Sequence, residues 1–126
     1  VFFHGNAPTT GVSFFGTEDV FHGSENVTVY YLTGATGWSP TLAGVPTALW
    51  NPQAQTGCGA FGVQQGHFGF DITGTADIPV VIEASTNPVA GSWSPLHNCT
   101  LTNGSIHFAD PQLATQPGCF YRLRSP

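Results

Sequence analysis

Apolar and polar positions alternate most regularly in the second half of the chain. Over residues 67–73, Phe68, Phe70 and Ile72 fall on one side and His67, Gly69, Asp71 and Thr73 on the other, the period of a half-buried strand. Residues 79–85 repeat the pattern, with Val80, Ile82 and Ala84 predicted inward and Val81, Glu83 and Ser85 outward. Short strand pieces follow around Pro95 and His97. Asn103-Gly104 supplies the two positive-φ positions of a type I′ turn, which predicts a hairpin between residues 99–102 and 105–108. Residues 110–118, with Pro111 and Pro117, read as a loop. A last strand over 119–124 turns Tyr121 and Leu123 inward and Arg122 and Arg124 outward. Short strands, near-regular turns and no helical period predict a small antiparallel β-sandwich over residues 61–126, of immunoglobulin or fibronectin type III kind.

The first half is patterned differently. Val1-Phe2-Phe3 reads as a short strand, and the segment from His4 to Pro8 as a turn. Residues 9–24 read as a loop with a helical turn near Glu18 to His22. In residues 26–32, Val27, Val29 and Tyr31 share one face, and Thr28, Tyr30 and Leu32 the other. Both faces carry bulky groups, so both need cover. Residues 33–50 are punctuated by Gly34, Gly37, Pro40, Gly44 and Pro46 and read as a connector. The two strands are spaced by about 25 residues, within the range of a leucine-rich-type strand-loop-strand unit, and one such unit cannot bury its own face. Residues 51–60 read as a linker. The predicted organisation is all-β: a repeat-like unit and connector over 1–50, a linker over 51–60, and the sandwich over 61–126.

Composition narrows the function classes. The 126 residues are 40% hydrophobic and 13% aromatic, enough to support a core, but only 7% charged, with no Lys and a net charge of −5. Nucleic acid and anionic membranes need clustered cations, so neither is expected as a partner. No apolar run approaches a membrane span. The chain opens at Val1 without Met or a leader peptide, as expected after leader removal or for a piece of a longer polypeptide.

Candidate chemistry is sparse. Cys58, Cys99 and Cys119 have no zinc-ligand spacing and are compatible with one disulfide and one buried thiol, or with three thiols. His4, His22, His67, His97 and His107 form no metal-ligand motif; His67 and His107 fall on outward strand positions. Asp77 and Asp110 read as turn residues bonding their own backbone, and Asp71 with Asp77 offers too few oxygens for calcium. His97 and Cys99 would share a face in a strand, but a turn-like His97-Asn98 and a buried Cys99 are the expected reading. Asn26, Asn98 and Asn103 fit the N-glycosylation sequon. Trp93 alternates with core positions, whereas Trp38, in the Gly-rich connector, is the candidate for ligand contact. No catalytic residue, metal ligand or cofactor is expected.

The stretch VFFHGNAP, followed by NVTVYYLTGATGW and GVPTALWNPQ, resembles the last repeat and exit segment of bacterial BspA-type leucine-rich-repeat surface proteins. FGFDITGTADIPVVIEASTN, WSPL, CTLTNGSIHFADP and FYRLRSP resemble the small β module that ends many such secreted proteins. Thr33 stands where the pattern usually has Pro. Ser85 stands where some relatives have the Cys that would partner Cys99, so the resemblance implies Cys58 and Cys119 as the disulfide pair. It also implies secretion or surface display and a non-enzymatic role. The open repeat end makes Val1, Phe2, Phe3, Val27, Val29 and Tyr31 candidates for an assembly edge that recruits another copy of the chain into a filament or array. The alternative is an adhesion module binding glycan or protein.

Overall fold

The structure, a computed structural model, describes residues 1–9, 21, 23–89, 91–113 and 118–126, with Leu113 in its backbone only. The helical turn expected near Glu18 to His22 falls outside this set, Phe21 excepted. The chain divides into two compact units, Val1–Asn51 and Pro52–Pro126. Both are built of β-strands, as the periodicity predicts.

The first unit is a four-stranded sheet of β1 (Phe2–Phe3), β2 (Val29–Leu32), β3 (Thr41–Leu42) and β4 (Val45–Trp50), in the order β1-β2-β4-β3. β1, β2 and β4 run parallel and in step, so Phe2, Tyr30 and Ala48 form one row and Phe3, Tyr31 and Leu49 the next. Parallel strands are covered on both faces, which explains bulky side chains at consecutive positions of β2. On one face the rings of Phe2 and Tyr30 stack at 4.8 Å. On the other, Trp38 lies flat on Tyr31 at 4.9 Å and edge-on to Phe3. The expected connector over 33–50 is therefore half of the sheet. Its Ala43-Gly44 pair, with φ of 47° and 82°, makes a tight β3–β4 hairpin, and β4 returns alongside β2.

The second unit comprises β5 (Gln53–Gln55), β6 (Gly62–Gln64), β7 (His67–Thr73), β8 (Pro79–Ser85), β9 (Ser94–Thr100), a 3₁₀ turn (Thr102–Gly104), β10 (Ser105–Leu113) and β11 (Phe120–Arg124). One sheet has the order β10-β7-β5, with β6 also paired to β7; the other has the order β11-β8-β9. All pairings are antiparallel. The linker expected over 51–60 thus contributes β5 to the sheet. Phe68, Phe70 and Phe108 from one sheet meet Tyr121 from the other at ring separations of 5.2, 5.8 and 6.1 Å, so the two sheets face each other as a sandwich. Phe70, Ile72, Ile78, Val80, Ile82, Leu101 and Phe108 are buried between them, each such side chain contributing roughly 1.5–3 kcal/mol.

Three local features differ from what the sequence pattern predicts. Val81, Glu83 and Ser85, predicted outward, are all at most 5% exposed: β8 is the middle strand of its sheet and is covered on both faces. His97 and Asn98 are not a turn but lie within continuous β9, with an irregularity in register between Ile82 and Glu83 of its partner. Asn103 and Gly104 do take positive φ, 57° and 81°, yet the turn makes no hairpin, because β9 stays in one sheet while β10 joins the other. Gly104 is held at this crossing by its carbonyl, which accepts from the Gly74 amide at 3.0 Å. A Cβ on Gly104 would stand 2.8 Å from the Gly74 carbonyl oxygen.

Candidate functional site

Among the described residues, β1 is one outer strand of the first sheet and β3 the other. The Val1 carbonyl accepts from the Tyr30 amide at 2.7 Å, and the terminal amino group donates to the Thr28 carbonyl at 3.0 Å. A strand paired on one side turns alternate backbone groups away from its partner, and these can accept a further strand. Of the six residues expected at an assembly edge, Val1, Phe2 and Phe3 belong to the β1 margin. Tyr31 and Val29 lie in β2, which is an inner strand; Val29 is fully buried and Val27 precedes the strand. These three cannot offer a pairing edge. Trp38 is half-buried, and its indole N–H donates to the Gly5 carbonyl at 3.2 Å. The indole is thus used in packing the unit.

In the second unit an apolar groove of about 280 Å³ opens beside β11, lined by Ala54, Phe61, Phe68, Phe120, Tyr121 and Leu123 among others. Phe61 and Phe120 remain 43% and 47% exposed at its mouth. Deeper in the sandwich the Tyr121 hydroxyl donates to Asp110 Oδ2 at 2.6 Å. Burial, then the Asp110 carboxylate, push the Tyr121 phenol well above its ordinary pKa. Asp110 Oδ1 accepts from the Gln112 amide at 2.8 Å, the expected local backbone bond, although Asp110 sits in β10 and is buried.

The only two Arg residues of the chain meet on one carboxylate. Arg122 Nε and Arg124 Nε donate to the two oxygens of buried Glu83 at 2.6 and 2.8 Å. Their hydrogen bonds, Arg124's first, hold the Glu83 carboxyl below its ordinary pKa. The Arg122 guanidinium also lies 4.4 Å above the Trp93 ring.

On the outer face of the first sandwich sheet, Asp71 and His107 are direct cross-strand partners, and His107 Nδ1 stands 2.7 Å from Asp71 Oδ1. The sequence could not show this pair, because reading residues 99–108 as a hairpin sets β10 beside β9 rather than β7. Cys58 Sγ is 3.8 Å from Asp71 Oδ2. A cleft of about 260 Å³ on the same face is lined by Gln64, His67, Gly69 and His107 among others.

Cys58, Cys99 and Cys119 are all free thiols in this structure, so the expected Cys58–Cys119 disulfide is not formed. Burial pushes the Cys99 thiol up, which disfavours the thiolate a nucleophile needs. Among the described residues, no group of three or more His, Cys, Asp or Glu side chains is placed to hold a metal ion, and no helix is long and apolar enough to cross a membrane. No protein-family model, curated protein or solved structure matches the chain.

Proposed function

We propose that the chain is a non-enzymatic, extracellular structural module that assembles through strand-edge contacts into a surface filament or array. In this reading the first unit is a terminal leucine-rich-type repeat of the BspA kind and the second an immunoglobulin- or fibronectin-III-like sandwich. The observation that carries it is β1: a two-residue outer strand in an in-step parallel sheet, whose Phe2 and Phe3 continue the Tyr30 and Tyr31 rows. A further strand, from another copy, would extend both rows and pair the outward backbone groups. Such head-to-tail contacts need not close and can propagate. Secretion or surface display belongs to the same proposal and rests on the resemblance of the sequence motifs.

Electron microscopy and light scattering of the purified chain test it. Ordered assemblies are expected, and their loss in Phe2→Pro, which removes a backbone donor from the edge. Monodisperse monomers over a wide concentration range would refute the assembly. A second reading, adhesion to glycan or protein, draws on the exposed Phe61 and Phe120 at the groove. It predicts glycan-array or pull-down signal that disappears in Phe120→Ala while the fold is kept.

A further inference from the structure

Three polar side chains that line the cleft on the outer face of β6, β7 and β10 each have one nitrogen tied to a neighbouring oxygen. His67 Nδ1 lies 2.8 Å from the Asp110 carbonyl oxygen. A carbonyl only accepts, so Nδ1 carries the proton and the neutral ring keeps its lone pair on Nε2. His107 Nδ1 is fixed in the same way by the Asp71 carboxylate at 2.7 Å. Gln64 Nε2 donates to the Gly59 carbonyl at 2.9 Å, and its Oε1 is an acceptor. The cleft of about 260 Å³ is thus lined by two imidazole side chains and an amide.

Backbone geometry brings these groups together. Gln65 and Gly66, with φ of 51° and 85°, form the tight turn between β6 and β7, and so set Gln64 directly opposite His67. His107 leans over Gly69, where a Cβ would lie 3.2 Å from His107 Nε2 and 2.7 Å from the Phe108 carbonyl oxygen. Only glycine leaves that space to the ring. His67 is two residues away on the same face, about 7 Å along the strand.

We infer that this cleft is a binding site for a borderline divalent transition-metal ion such as Zn²⁺, with His67 and His107 Nε2 as ligands, Gln64 Oε1 beside them and water completing the shell. The donor set is imidazole-rich, as such ions prefer. Both rings donate their second nitrogen to an oxygen, the arrangement that orients a ligating histidine; the Asp71 carboxylate in addition raises the basicity of His107.

Calorimetric titration of ZnCl₂ into the chelator-treated chain should give one site. Long-range ¹H–¹⁵N spectra should show the His67 and His107 Nε2 resonances moving together, with His4 and His97 unmoved. His67→Ala and His107→Ala should each weaken Zn²⁺ binding at least about tenfold, and Asp71→Asn about tenfold, while Cys58→Ser leaves it unchanged. Circular dichroism checks that the variants fold; should they not, the wild-type spectra decide. Stationary His67 and His107 Nε2 resonances under saturating Zn²⁺ would overturn the site. So would affinity retained in both His variants, or affinity lost in Cys58→Ser alone.

Discussion

Single residues set the terms on which this fold holds. Tyr121 stacks against Phe68 and donates its hydroxyl to the buried Asp110 carboxylate. Removing that donor leaves a buried charged oxygen short of a partner, so Tyr121→Phe should cost about 1–3 kcal/mol, read as a lower urea midpoint with unchanged slope. Ala43 acts in the opposite direction. It holds φ of 47° at the first position of the β3–β4 turn, a region that L-residues with a Cβ enter at a cost. Asn tolerates it, and Asn-Gly is a preferred pair there. Ala43→Asn should therefore stabilise the chain by about 0.5–1 kcal/mol, visible as a higher melting temperature. The Ala43-Gly44 turn was hard to see in the sequence because Ala hides the positive φ that Gly or Asn would have announced.

At the scale of elements, the periodicity located β7, β8 and β11 well but could not say what lay over them. β8 alternates as a strand with one wet face, yet that face is closed where Arg122 and Arg124 fold their side chains onto Glu83. The Asn103-Gly104 pair was legible as a turn with the right backbone signs. Its role was not, because local geometry does not fix which sheet the next strand enters. That one uncertainty hid the Asp71–His107 pair. Trp38 shows the converse: a Gly-rich neighbourhood suggested exposure, while the indole seals Phe3 and Tyr31. Trp38→Ala should cost roughly 2 kcal/mol, less than the loss of a fully buried Trp. The effect should be local, with faster amide exchange in residues 29–32 than in β7 or β8.

For the whole molecule, the charge distribution is lopsided. Seven carboxylates face two Arg side chains, and both of these are committed to Glu83. Because the folded Glu83 pKa is depressed, its contribution is complete above the ordinary carboxylate range and is lost as pH falls through the folded value. Glu83→Gln should lower the melting temperature at neutral pH and flatten the acid limb of a stability–pH profile. An unflattened limb would place the acid sensitivity elsewhere. The crossing at residues 101–104 has a temporal consequence. β7 waits for β10, and β8 waits for β11, about 30–45 residues later in the chain. Pairings of such long sequence separation form slowly. A chain emerging from the ribosome would lack the Tyr121 ring over Phe68 and Phe70 until β11 arrives, so the sandwich closes only when its last strand is in place.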